Sequence, residues 1–132
     1  MYKRQTLNRI KAAAIGTLGV TGLKVKKNFS NTTFDTIQLN KILEQLKEKK
    51  IENVILEASS HGLSQNRLDG LEFDIGIFTN LTRDHIDYHK TFKNYFNSKL
   101  ILFKKLLKTK SYAIFDNDIK TSSKLNLSLI HI

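Results

Sequence analysis

Apolar residues fall into short runs of two different periods along the chain, and the punctuation between them alternates strand with helix. Ala12 to Leu18 is a short apolar run closed by Gly19 and Gly22, which predicts a strand entering a turn. Thr36 to Lys49 places Ile37, Ile42, Leu43 and Leu46 near helical spacing behind Asp35, a candidate N-cap. Asn53 to Leu56 is a compact β-branched run, too short for a helix, and predicts a strand covered on both faces that ends at Glu57. His61 to Leu68 predicts a short helix ended by Asp69-Gly70, and Phe73 to Thr79 a second buried strand. Thr91 to Leu107 predicts the clearest helix, followed by a third buried strand from Tyr112 to Phe115. Such repeated helix-then-strand units with short connections predict an α/β fold with a doubly wound, mostly parallel sheet. Ligands of that fold gather beyond the carboxyl ends of the strands, where Glu57 and the segment Asn80 to His85 fall.

Composition narrows the class. A chain of 132 residues with 40% hydrophobic content supplies one core but not comfortably two. The absence of cysteine excludes a disulfide framework and any thiolate metal site, and it suits a reducing compartment, so a cytoplasmic location is expected. No apolar run approaches the roughly 18 residues that span a bilayer, so no membrane partner is expected. The formal charge of +10 is spread over Lys24-Lys26-Lys27, Lys47-Lys49-Lys50 and Lys104-Lys105-Lys108-Lys110 without an aromatic-interleaved stripe. That distribution fits a solvated lysine-rich surface better than a nucleic-acid interface. A basic module for nucleotides or nucleic acid remains the alternative, and it predicts salt-sensitive binding. The ends, residues 1–5 and 127–132, read as non-native translation, which leaves 6–126 as the expected native domain stretch.

Two segments and one lysine carry candidate chemistry. In Glu57-Ala58-Ser59-Ser60-His61-Gly62-Leu63 an acid, two hydroxyls and an imidazole follow a predicted strand. A ligand site and a plain turn with Ser59 or Ser60 capping the next helix both fit that arrangement. The segment lacks the small-residue pattern of a serine nucleophile elbow. Asn80-Leu81-Thr82-Arg83-Asp84-His85-Ile86-Asp87-Tyr88-His89 packs two aspartates, two histidines and an arginine after the next strand. Hard oxygen ligands with an occasional imidazole suit Mg²⁺ or Mn²⁺ beside phosphates, whereas structural zinc calls for cysteines or more histidines. His85 and His89 stand four apart, but the catalytic Glu of the zinc-protease pattern is missing. Lys99 falls inside the apolar stripe Phe92, Phe96, Phe103, Leu106 and Leu107. Either its stem packs while the amine escapes to water, or the amine is held inside, where a neutral form can take up carbon dioxide as a metal-binding carbamate.

These motifs resemble the Mur ligases. Glu57-Ala58-Ser59-Ser60-His61-Gly62-Leu63-Ser64-Gln65-Asn66-Arg67 is similar to the E-V-S-S-H-x-L-x-Q-x-R of the MurE branch. Phe78-Thr79-Asn80-Leu81-Thr82-Arg83-Asp84-His85-Ile86-Asp87-Tyr88-His89 is similar to its F-T-N-L-[ST]-R-D-H-L-D-Y-H. Gly16-Thr17-Leu18-Gly19 and Asn31-Thr32-Thr33 also fit in order, so the resemblance covers Ala12 to Asp118. It implies part of a P-loop-type central domain, an internal portion of an enzyme that uses ATP and Mg²⁺. That enzyme adds the third amino acid, meso-diaminopimelate ahead of L-lysine, to UDP-MurNAc-L-Ala-D-Glu in peptidoglycan synthesis, and hence serves cell wall biogenesis, cell shape and cell division. Position by position, the resemblance puts Thr32, Thr33, Ser59, Gln65 and Arg67 on the UDP-muramoyl dipeptide. It puts Glu57 and His85 on Mg²⁺, and Lys99, carbamylated, on a second Mg²⁺. The implied reaction activates a substrate carboxylate as an acyl phosphate, which the incoming amine attacks; the full-length enzyme is expected to be a monomer. Three departures stand out. No G-x-x-x-x-G-K-[ST] occurs, so the isolated chain is expected to be inactive. Phe34 follows the paired threonines where the family has proline or glycine, and Asp116 stands where it has asparagine near the nucleotide.

Overall fold

The computed structural model describes residues 10–21, 31–82 and 84–115. The chain divides into two compact units, Met1–Arg67 and Leu68–Ile132, each with its own sheet. Gly22, Arg83, Asp116 and both chain ends, which entered the sequence expectations, lie outside the described residues.

In the first unit, β1 (Ala12–Gly16) runs through a turn at Thr17-Leu18 into β2 (Gly19–Val20), an antiparallel return that the sequence had read only as a turn. Gly19 takes φ 87°, the left-handed backbone that a side chain resists. The helix α1 (Thr36–Glu48) starts where expected, with the Asp35 side chain accepting from Gln38 N at 2.9 Å. It closes on a left-handed Lys50, and Ile51 N donates back to Leu46 O at 3.0 Å. Its buried stripe is Leu39, Ile42 and Leu46, spaced three and four apart. Ile37, expected on that stripe, is 70% exposed, because Leu39 already takes the inward position one turn above Ile42. The strand β3 (Asn53–Leu56) lies parallel to β1 with Ala12 opposite Asn53 and Ile15 opposite Leu56. The ladder runs one residue further, with Glu57 N donating to Ile15 O at 2.8 Å.

The short helix α2 (Ser60–Ser64) follows, with Ser59 as its cap and turns through residues 65–70. It is shorter than the predicted His61 to Leu68. The break at Asp69-Gly70 is real, since Gly70 takes φ 84° in open space.

The second unit is built on β4 (Phe73–Phe78) and β5 (Leu107–Phe115), parallel, with Ile75 opposite Tyr112 and Ile77 opposite Ile114. Between them lie α3 (Ile86–His89) and α4 (Phe92–Ile101), the latter capped by Thr91, whose side chain accepts from Asn94 N at 3.1 Å. The single helix predicted from Thr91 to Leu107 ends early: Leu102–Leu106 widens into a π turn and Leu107 already pairs with Phe73. Pairing in the sheet overrides the helical period here, and the wider turn lets both Phe103 and Leu106 reach the core. Phe78, Leu100 and Phe103 form that core, with Phe96 and Phe115 against it.

The strands are not covered on both faces as predicted. Val54 of β3 is exposed, and Ile75 and Ile77 of β4 are 53% and 54% exposed alongside Tyr112 and Ile114. Among the described residues each sheet has only two or three strands, too few to be sandwiched by helices on both sides. The parallel α/β expectation itself holds in both units. No helix among the described residues is long and apolar enough to cross a membrane.

Candidate active site

In the first unit the motif after β3 is drawn into one hydrogen-bonded assembly. Glu57 sits beyond the end of β3, beside Gly16 of β1, where its Oε2 accepts from both Thr17 N (2.9 Å) and Thr17 Oγ1 (3.0 Å). Thr17 Oγ1 in turn lies 3.1 Å from Thr32 Oγ1. The side chain is exposed, and its Oε1 has no hydrogen bond among the described residues.

Next to Thr32, Thr33 is 2% exposed, and its hydroxyl is spent inside the protein. It donates to the Glu57 carbonyl at 2.9 Å, accepts from Ser59 N at 2.9 Å and touches Ser59 Oγ at 2.9 Å. Ser59 Oγ accepts from Gly62 N at 3.1 Å, capping α2. Arg67 closes the assembly, with Nη1 donating to the Thr33 carbonyl at 2.7 Å and Nη2 to Gln65 Oε1. All six residues the resemblance singled out in this unit, Glu57, Thr32, Thr33, Ser59, Gln65 and Arg67, are thus connected. Of the two sequence readings of Ser59, the structure shows the helix cap. Phe34, the departure after the paired threonines, is buried in the core.

In the second unit His85 takes φ 55° and sits at the start of α3, its backbone N donating to Asp84 Oδ1 at 2.8 Å and its Nε2 lying 3.5 Å from Asp84 Oδ2. Lys99 is half-buried: its Nζ donates to the Asn80 carbonyl at 3.0 Å, 5.4 Å from the Phe78 ring centre and 5.1 Å from that of Tyr95. The positive amine is therefore held by a carbonyl and two ring faces. Phe92, expected on the same stripe, is partly exposed, and Tyr95 takes the inward place.

Tyr95 is the residue that sequence reasoning missed. It is 3% exposed and stands 6.1 Å from the His85 ring and 5.5 Å from the His89 ring, so that His85 and Lys99 flank one buried phenol. Its four-residue step before Lys99 was a readable signal. Among the described residues no three His, Asp, Glu or Cys side chains gather into a metal cluster. Each unit carries candidate donors of its own: the exposed Glu57 carboxylate in the first, and the His85 imidazole beside Asp84 in the second.

The Mur ligase middle domain family matches residues 3–130. The UDP-N-acetylmuramoyl-L-alanyl-D-glutamate--2,6-diaminopimelate ligase of Clostridium botulinum is 45% identical over 94 residues, 71% of this chain and 20% of that protein. The corresponding L-lysine ligase of Staphylococcus haemolyticus is 42% identical over 110 residues, 81% of this chain and 22% of that one. A solved structure of a diaminopimelate ligase of the same name aligns with a TM-score of 0.78 at 30% identity, over 98% of this chain and 25% of its own. The chain thus spans about a fifth to a quarter of the length of these relatives. Because this family accounts for nearly the whole length and a solved relative shares its fold, the chain belongs to the Mur ligases, within their middle domain.

Proposed function

We propose that the chain is the substrate- and metal-holding part of an ATP-dependent ligase that adds the third amino acid to UDP-MurNAc-L-Ala-D-Glu in cytoplasmic peptidoglycan synthesis. Meso-diaminopimelate is the first amino acid to test and L-lysine the second, since relatives named for each are similar to this chain. Residues 6–126 are the native domain stretch in this reading, and the complete enzyme acts as a monomer without nucleic acid or membrane.

The observation that carries the reading is the continuous assembly from Gln65 and Arg67 through Thr33 and Ser59 to Glu57, Thr17 and Thr32. It fixes the Thr32 hydroxyl, the Gln65 amide and the Arg67 guanidinium near a carboxylate that keeps one oxygen without a hydrogen bond among the described residues, groups of the kind an anionic, hydroxyl-rich nucleotide sugar and a divalent ion call for. Thr32, Ser59, Gln65 and Arg67 would position the dipeptide substrate, with Thr33, whose own hydroxyl is turned inward, bracing Ser59 and Arg67 for it. Glu57 in the first unit and His85 in the second would each serve as a Mg²⁺ ligand, and Lys99, as a carbamate, would be a further one. Bound there, Mg²⁺ would neutralise charge on the phosphoryl group passed from ATP to the substrate carboxylate. The protein's own share is to orient these groups and keep them from collapsing on one another.

The test is to supply the full-length gene from the same source and assay extension of UDP-MurNAc-L-Ala-D-Glu with ATP and each amino acid. Product with diaminopimelate is expected; absence of product with every amino acid would sink the reading. The 132-residue chain by itself is expected to give none.

A further inference from the structure

The geometry points to Thr17 as a positioning residue that aims the Glu57 carboxylate and ties it to Thr32, an inference that rests on the functional reading above. Thr17 lies 40 positions from Glu57 and touches it only because β1 and β3 run parallel in register and both end at the same edge. Its backbone N–H and its hydroxyl converge on one oxygen, Oε2, at 2.9 and 3.0 Å. A carboxylate held by two donors from one residue cannot turn freely, and its second oxygen is thereby pointed one way.

Proton counting gives the assembly a direction. The Thr17 hydroxyl has a single proton, and the carboxylate oxygen, once ionised, only accepts, so that proton goes to Glu57. The 3.1 Å contact with Thr32 must then be donated by Thr32. Thr32 and Thr17 form a line of donors that ends on the accepting Glu57 carboxylate, each bond polarising the next. A substrate group that claims the proton of Thr32 withdraws a donor from Thr17, and the consequence is felt at Glu57. Thr17 thus couples the occupancy of the substrate side to the carboxylate that meets the cation.

The neighbouring glycine provides the room in which the carboxylate lies. A Cβ at Gly16 would stand 2.5 Å from Glu57 Oε2 and 2.9 Å from its Cβ. The carboxylate therefore occupies space that only glycine leaves open, and Thr17 is the residue that keeps it there.

The experiment compares Thr17→Val, which deletes the hydroxyl at nearly constant shape, with Thr17→Ser, which keeps it, in the complete ligase. The readouts are Mn²⁺ affinity by electron paramagnetic resonance and kcat and KM for the UDP-muramoyl dipeptide. Thr17→Val should weaken Mn²⁺ binding about 10-fold and lower kcat by a similar factor, in the range found when groups orienting a metal ligand are removed. Thr17→Ser should restore at least about half of each. In a double-mutant cycle, Thr32→Val should cost less in the Thr17→Val background than in the wild type. Wild-type Mn²⁺ affinity in Thr17→Val overturns the inference, and so does a Thr17→Ser variant as poor as Thr17→Val, since shape rather than the hydroxyl would then matter. If the wild-type ligase neither ligates nor binds Mn²⁺, the functional reading falls and takes this inference with it. A crystal structure of Thr17→Val with Glu57 unmoved would refute the positioning role by itself.

Discussion

Gly62→Ala turns the packing of the substrate-side assembly into a measurable quantity. In a short helix such a change ordinarily stabilises, by up to about 1 kcal/mol, because alanine loses less backbone freedom on folding. Here the new Cβ would stand 2.6 Å from Thr33 Cβ and Cγ2 and 2.9 Å from its Oγ1. Ordinary contact begins near 3.4 Å, so from 2.6 Å one partner must retreat by about 0.8 Å. Thr33 cannot do so for free, being 2% exposed with its hydroxyl bonded to the Glu57 carbonyl and to Ser59 N, each at 2.9 Å. A shift of that size takes both bonds beyond hydrogen-bond range, at about 1 kcal/mol apiece. Set against the helix preference, the net expectation is a loss of about 1–2 kcal/mol, read as a lowered urea midpoint in the complete ligase. In a Thr33→Gly background the obstacle is gone, and Gly62→Ala should become neutral or stabilising. Equal or greater stability of Gly62→Ala alone, or the same cost in both backgrounds, would refute the reasoning.

Three further outcomes are expected. Asp35→Ala removes the side-chain cap of α1 and should cost about 1 kcal/mol by urea unfolding, while Asp35→Ser should keep most of it. Complete ligase incubated with ¹³C-bicarbonate should show a carbamate carbon by NMR that Lys99→Arg abolishes; an active enzyme without that signal would exclude the carbamate role of Lys99. The Lys108 amine donates to Asp74 at 2.8 Å, and that hydrogen bond, with the charge of Asp74, raises its pKa above the ordinary lysine value. A raised folded-state pKa means that the pair's contribution is fully present below the unfolded value and is lost as pH climbs through the higher folded one. An NMR titration should place Lys108 lower in Asp74→Asn than in wild type; an unchanged midpoint would dismiss the pair.

Much of the candidate site was legible because its residues are close in sequence and chemically distinctive. Glu57, Ser59, Gln65 and Arg67 lie within one strand-to-helix passage, and the structure does link them, through Thr33, by hydrogen bonds. Thr17 was noted within a motif but given no role, because nothing local ties it to an acid 40 positions away. Tyr95 was overlooked because an aromatic residue in an amphipathic helix looks like ordinary core, and only its neighbours, His85 and Lys99, give it further meaning.

The same division runs through the fold. Local sequence settled where α1, α2 and α4 begin: Asp35, Ser59 and Thr91 cap these helices because a short oxygen-bearing side chain satisfies a first-turn N–H whatever surrounds it. Gly70 ends its turn because only glycine takes φ 84° without strain. Tertiary structure decided what period alone leaves degenerate. It chose Leu39 over Ile37 for the inner face, stopped α4 at Ile101 so that Leu107 could pair with Phe73, and left Ile75 and Ile77 bare. It also brought β1 beside β3, and so Thr17 to Glu57. Caps and turns are settled by interactions within three or four residues, whereas strand pairing and burial depend on partners that no local pattern identifies.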